Sequence, residues 1–281
     1  LGSYTITRTW AVEDCAGNAN THVQTIDVQD TTAPAVMDAM DATVECDGAD
    51  NVADLEAWLA NNGGATATDA CSGVTWSNDF DAMSDDCGAT GSATVLFTAT
   101  DDCGNAASTT ATFTIEDTTA PVFTEVPNDQ ENQCEEAEYA SAASDNCSEF
   151  AISESREVIS DDECGNYEHL VTLTATDECG NSTDYQFTII VQDTEAPAFA
   201  EALPASMDLV CSDGIPAAEE LTAMDNCDGL VDVSFLEVVD SSDPCAFIIT
   251  RTWNAVDCSG NGVEHVQILS IVDDAAPVFT S

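Results

Sequence analysis

From Tyr167 to Asp177 apolar side chains fall on every second position, with Val171, Leu173 and Ala175 on one face and polar residues between them. A period of two sets one face of an extended strand against a core and the other against water. Cys179-Gly180-Asn181 follows, and glycine and asparagine tolerate the positive φ of a tight turn, so a hairpin is predicted with Phe187, Ile189 and Val191 on its return strand. Ahead of it lie a predicted strand at Val122-Phe123, a second ending at Cys134, a loop closing at Asp145-Asn146-Cys147, and a strand from Phe150 to Ile159. Cys103-Gly104-Asn105 and Cys258-Ser259-Gly260-Asn261 repeat the hairpin signal. A helical spacing appears at Val52, Leu55 and Leu59, predicting a helix over 52–60 that Asp50 or Asn51 can cap and Asn61-Asn62-Gly63-Gly64 ends. Pro216 to Ala223 reads as its counterpart further on.

The order of these features recurs. Asp30-Thr-Thr-Ala-Pro34 returns as Asp117-Thr-Thr-Ala-Pro121, as Asp193-Thr-Glu-Ala-Pro197 and, more weakly, as Asp273-Asp-Ala-Ala-Pro277, at spacings of 87, 76 and 80 residues. Units of that size are small single domains, and an internal repeat outweighs any domain count taken from length. The expected organisation is the last strands of one unit over 1–30, full units over 31–117, 118–193 and 194–273, and the first strand of another over 274–281. A longer period is superimposed: residues 1–38 match 244–281 without a gap, pairing Arg8-Thr-Trp10 with Arg251-Thr-Trp253 and His22 with His265. The array therefore reads as a three-domain super-repeat.

Charge narrows the function classes. Fifty-four acidic residues face three arginines and no lysine, a formal net charge of −51. Nucleic acids and anionic membranes need a basic face and are excluded as partners. A chain this acidic stays unfolded if it is short of apolar residues, yet 44% are hydrophobic, so it folds once bound divalent cations or external salt offset the self-repulsion. Thirteen cysteines at recurring positions point to an oxidising compartment, and no apolar run reaches the length of a membrane span, so a secreted, extracellular or cell-surface location is expected.

Thr-Ala-Thr-Asp-x-Cys-Gly-Asn (Thr98 to Asn105 and Thr174 to Asn181), followed by Asp-Thr-Thr-Ala-Pro, resembles the hyalin-repeat (HYR) type of immunoglobulin-like module, which bacterial surface proteins carry in long arrays. The resemblance implies an all-β chain of tandem immunoglobulin-like β-sandwich repeats arranged end to end, with an adhesive or structural role and no catalysis. The short helix and the extra cysteines depart from the simplest pattern of that family.

Each full unit carries four cysteines: Cys46, Cys71, Cys87 and Cys103; Cys134, Cys147, Cys164 and Cys179; Cys211, Cys227, Cys245 and Cys258. The third and fourth bracket a long strand, and 13 to 16 extended residues hold them roughly 40 Å apart, against the ~5.5 Å a disulfide requires, so third does not bond fourth and first does not bond second. An immunoglobulin-like order implies that second and fourth share one end of the sandwich and first and third the other. The expected bridges are thus Cys46–Cys87, Cys71–Cys103, Cys134–Cys164, Cys147–Cys179, Cys211–Cys245 and Cys227–Cys258, with Cys15 bonded upstream. A metal-thiolate or redox site lacks the close Cys-x-x-Cys spacing it requires.

The same order brings each linker aspartate to the end of the next unit that carries its Asp-x-Cys loop and its hairpin. Asp30 is expected to meet Asp69 and Asp101 or Asp102; Asp117 to meet Asp145 and Asp177; Asp193 to meet Asp225 and Asp257. Two readings of these residues stand. Carboxylates joined by backbone carbonyls suit Ca²⁺, which takes six to eight oxygens; alternatively they only form turns, since aspartate bonds its own backbone. Thr31 and Thr118 in the linkers resemble O-glycosylation acceptors, and Asn146-Cys-Ser148 and Asn181-Ser-Thr183 fit the N-glycosylation pattern.

Nothing in the sequence points to an enzyme. His22 and His265 hold one strand position 243 residues apart and read as architecture, and His169 sits in a strand. Nucleophile motifs and phosphate-binding glycine loops are missing. The function that emerges is an extracellular stalk or fibre of disulfide-stapled repeats stiffened by calcium, whose partners are copies of itself or further repeats. The alternative is an adhesin whose repeats bind glycans or cell-surface proteins.

Overall fold

The computed structural model describes residues 2–243 and 246–276, and their regular structure is nearly all strand. Contacts divide the chain into two compact units: Leu1–Glu125 with 141–153 and 174–184, and Val126–Ala140 with 154–173 and 185–281. The dividing line crosses strands of the middle repeat rather than the linkers.

One topology occurs three times. In the first repeat the sheet order is Ala42–Glu45, Ala106–Glu116, Gly91–Asp101, Val74–Asn78, with Ala35–Met37 and Thr66–Thr68 paired as a second, small sheet. The middle repeat has Gln130–Gln133, Ser182–Gln192, Tyr167–Asp177, Phe150–Asp161, with Val122–Glu125 and Ala142–Ser144. The third has Met207–Val210, Gly262–Val272, Ala246–Val256, Val233–Asp243, with Ala198–Phe199, Ala223–Asp225 and Gly229–Val231. The first strand of each larger sheet runs parallel to its neighbour and the long hairpins are antiparallel.

The alternating residues supply the cores. Val95, Phe97 and Ala99 with Ala111, Phe113 and Ile115 are buried in the first repeat, Val171, Leu173 and Ala175 with Phe187, Ile189 and Val191 in the second. In the third, Ala223 and Val231 of the small sheet pack on Ala255 of the large one, with Phe199, Val233 and Val263 around them, which makes the two sheets layers of a sandwich.

The helix forms over Val52–Ala60 and is continued by a 3-10 turn, Asn62–Gly64. Its Trp58 packs on Phe97 and Phe113. Asn51 stands at the N-cap position without a side-chain capping bond; its amide instead donates to Glu45 O and Asp54. The expected counterpart over 216–223 is not helical. Residues 214–222 lack regular structure, and their carbonyls serve the sheet beneath: Pro216 O accepts from buried Arg251 and Glu219 O from the Trp253 indole. Helix would tie those carbonyls to its own amides. Arg251 also pairs with Glu237.

The 243-residue period is visible in the register. Tyr4–Glu13 pairs with Ala19–Val28 so that Trp10 faces His22, as Trp253 faces His265. Trp253 is 1% exposed and Trp10 50%.

The disulfides overturn the expected pairing. Cys46 bonds Cys147, Cys87 bonds Cys179, Cys134 bonds Cys227 and Cys164 bonds Cys258. The first cysteine of a repeat joins the second of the next, and the third joins the fourth of the next. The physical reason lies in where the thiols sit. Cys46 directly follows the strand beside the end of Ala106–Glu116, its amide donating to Glu116 O, and Cys87 precedes the strand whose Gly91 faces Ile115. Both therefore lie at the outlet pole, where the chain leaves for the following repeat. Cys147 and Cys179 lie in loops at that repeat's inlet pole, so the nearest thiols are across the joint. Of the remaining cysteines, Cys15, Cys103 and Cys211 are in no disulfide among the described residues, so the expected Cys71–Cys103 does not form, and Cys227–Cys258 gives way to the bridges from Cys134 and Cys164; Cys245, the expected partner of Cys211, and the strand expected beyond residue 276 lie outside those residues.

Candidate calcium seams between repeats

Each joint is built from three short polar motifs. The linker aspartate uses Oδ1 to accept the amide two residues on, Asp30 from Thr32, Asp117 from Thr119 and Asp193 from Glu195. The loop aspartate does the same for two amides, Asp69 for Cys71 and Ser72, Asp145 for Cys147 and Ser148, Asp225 for Cys227 and Asp228. In the hairpin, asparagine clamps both its own aspartate and the linker: the amides of Asn105, Asn181 and Asn261 donate to Asp101, Asp177 and Asp257, and to the carbonyls of Asp30, Asp117 and Asp193. The linker prolines Pro121 and Pro197 are fully buried behind this lattice.

In the linker and loop aspartates the turns occupy only Oδ1, whereas the hairpin aspartates bond through both oxygens. Asp30 Oδ2, Asp117 Oδ2, Asp145 Oδ2, Asp193 Oδ2 and Asp225 Oδ2 are buried and make no hydrogen bond. Desolvation of a carboxylate oxygen without a partner is costly, and like charges brought together add to it. Burial raises the Asp117 carboxyl above its ordinary value, and the charges of Asp145, Asp177 and Glu45 push the same way; Asp193 is raised by burial and then by Asp225, Asp257 and Asp228.

The three seams differ in what they gather. Asp117, Asp145 and Asp177 each bring a carboxylate oxygen within 4.8 Å of the others. Around Asp193 there are two such groups, one with Asp225 and Cys227 and one with Asp228 and Asp257. Where Asp30 enters its repeat, Asp30 and Asp69 come together with Cys71 and without Asp101 or Asp102. Asp101 spends both oxygens on Asn105 and the turn, which lowers its carboxyl, but Asp177 and Asp257 make the same bonds with Asn181 and Asn261 and still join their groups, so these bonds do not set the Asp30 joint apart; Asp102 accepts from Gly73 N. The oxygen sets Asp117–Asp145–Asp177 and Asp193–Asp228–Asp257 fit a hard divalent cation, while the sets that include the sulfur of Cys71 or of disulfide-bonded Cys227 do not.

Several joint residues carried no signal that the sequence reading used. Asp228 joins the second group at Asp193 and also accepts Cys258 N. Asp162-Glu-Cys164-Gly-Asn166 copies the hairpin motif at the outlet pole, and Asn166 Oδ1 accepts Asp193 N. Gly48 and Gly88 adopt positive φ where repeats touch: a Cβ on Gly48 would stand 2.3 Å from Asn146 O, and one on Gly88 2.5 Å from Ser148 Cβ. The amides of Asn146 and Asn181, within the two glycosylation patterns, are both donating, to Cys46 O and to Asp117 O. Thr31 and Thr118 are exposed, and Thr118 donates to Glu45.

Residues 199–271 match the family described as "HYR-like domain with 4 cysteines". Among solved structures the chain is similar to a protocadherin gammaB7 EC3-6 cis-dimer, at 14% identity and TM-score 0.36 over 97% of this chain and 85% of that one. It is similar also to PcdhgB3 EC1-4, at 11% and 0.37 over 97% and 83%, and to Drosophila N-cadherin EC1-4, at 14% and 0.28 over 96% and 84%. No curated protein matches it. Among the described residues no helix is long and apolar enough to cross a membrane.

Proposed function

We propose that this chain is part of an extracellular stalk or fibre: tandem β-sandwich repeats, one per linker-to-linker segment, joined end to end by paired disulfides and stiffened at the seams by calcium. The observation that carries the reading is that all four bridges among the described residues run between successive repeats and so fix one repeat to the next. Disulfides of this density belong to oxidising surroundings outside the cell. Calcium enters through the seams. Asp117 and Asp145 converge on Asp177, each with a buried Oδ2 that makes no hydrogen bond, and turn formation alone leaves those two oxygens unexplained. A cation bound there would relieve the raised Asp117 carboxyl and lock the linker to the loop and the hairpin. The expected partners are further repeats of the same kind.

Asp145→Asn tests the metal reading, because asparagine keeps the Oδ1 that holds the Cys147 and Ser148 amides and removes only the charge. Calcium at a hundredfold excess over its Kd should stabilise the wild type by about 2.7 kcal/mol. The variant should lose most of that gain, while in chelator it should match or exceed the wild type. A wild type indifferent to calcium overturns the metal reading. Small-angle scattering tests the stalk: a radius of gyration near the roughly 19 Å of a compact chain of this length sinks it.

A further inference from the structure

The three first cysteines hold one structural position. Each directly follows the short strand that runs parallel to the return strand of its repeat: Cys46 after Ala42–Glu45, Cys134 after Gln130–Gln133, Cys211 after Met207–Val210. The Cys46 amide donates to Glu116 O and the Cys211 amide to Val272 O, the last residues of the corresponding return strands. Two of the three thiols are bonded to the second cysteine of the next repeat.

What surrounds them distinguishes the third. Cys46 is 3% exposed because Cys147 completes an apolar cluster with Phe113 and Ile115. In the third repeat Leu269 and Ile271 stand where Phe113 and Ile115 do, and there the cluster opens into a cavity of about 300 Å³ lined by Leu209, Phe247, Ile271 and Ile215 beside an exposed Cys211. We infer that this recess seats the Asp-x-Cys loop of another repeat of the same kind, whose cysteine forms a disulfide with Cys211. The interface continues one seen twice in the chain. At the first joint the loop is held by Asn146 Nδ2 on Cys46 O and by Ala89 N on Cys147 O, and it buries its sulfur against the apolar end of the sheet.

Bond formation takes two electrons and two protons from the two thiols. A small-molecule disulfide such as oxidised glutathione accepts them: the Cys211 thiolate displaces one half to give a mixed disulfide, and the loop thiolate displaces the other, leaving two reduced thiols. The inference rests on the tandem-array reading and is independent of calcium.

Because residue 281 matches residue 38, a chain of residues 1–281 continued by a copy of residues 39–193 extends the repeat in frame. This chain, oxidised with glutathione in chelator, is alkylated, digested without reduction and mapped by mass spectrometry. The expected result is a peptide containing Cys211 joined to the copied Cys71, with Cys211 at least tenfold less alkylated than in the 281-residue chain. If the four bridges seen here are intact while Cys211 is alkylated as before, or is bonded elsewhere, the inference is overturned and the array reading survives. If those four bridges are absent, the array reading falls and takes the inference with it.

Discussion

Removing one bridge of a joint while its neighbour stays in place has a calculable cost. In the variant Cys134→Ala/Cys227→Ala the second joint is still held by Cys164–Cys258. In the wild-type unfolded chain the two bridges together close a ring made of segments 134–164 and 227–258, about 60 residues, and the chain-entropy relation assigns opening that ring roughly 4 kcal/mol. Alanine keeps both sites apolar. Cys227 is only half-buried, so truncation there adds little. Urea unfolding followed by tryptophan emission reads the change, since Trp253 is buried in the repeat that receives both bridges. With a denaturant slope near 2 kcal/mol per molar, the midpoint should fall by about 2 M. A fall of under about 0.5 M would mean that the bridges do not restrain the unfolded chain across the joint, and the staggered connectivity would lose its role in stability.

The connectivity itself is checked by cyanogen bromide, which cuts after Met37, Met40, Met83, Met207 and Met224; without reduction, fragments 41–83, 84–207 and 225–281 should travel as one species, whereas bridges inside repeats would free 84–207 from 225–281. Calcium affinity should weaken on acidification before ordinary aspartates titrate. Asp117 and Asp193 have raised carboxyls, so the folded apo form takes up their protons above pH 3.8 and gains stability as pH falls through that window, while the proton competes with the cation; calorimetric titrations giving one Kd from pH 7 to about 4.5 would refute this. Gly48→Ala should disrupt the first joint and cost more than about 2 kcal/mol by thermal unfolding, since it adds a clash to an unfavourable φ; Gly214→Ala, with a similar φ and nothing within 4 Å, should cost about 1. Trp253→Phe leaves Glu219 O without its indole donor and should cost about 1–3 kcal/mol in urea, against less than about 0.5 for Trp10→Phe.

Local pattern made much of this legible. Period-two runs place the strands, and the spacing of Val52, Leu55 and Leu59 places the helix over 52–60, because both depend on which side of a short segment faces the core. Segment 216–223 was misread for the same reason. Its backbone conformation is set by distant residues, Arg251 and Trp253, that need its carbonyls, and this demand leaves no local trace. The disulfides failed at another level. Sequence order indicates which thiols share a pole, but pairing depends on which pole of the neighbouring repeat lies nearest, and a reading confined to one repeat has no access to that. The seams fall between the two cases. The meeting of Asp117, Asp145 and Asp177 follows from the order of motifs, whereas the absence of Asp101 from its group and the recruitment of Asp228 to another depend on details of loop shape that the motifs do not carry.

Three covalent tethers cross each of the joints at Asp117 and Asp193 in parallel: the peptide linker and a pair of sulfur–sulfur bonds. A protease that nicks the linker between Asp117 and Pro121 therefore severs one tether of three and releases nothing. A reductant that opens a single bond also leaves two tethers in place. Such a joint fails only when independent chemical insults coincide, a form of redundancy suited to material that must outlast the cell's ability to repair it.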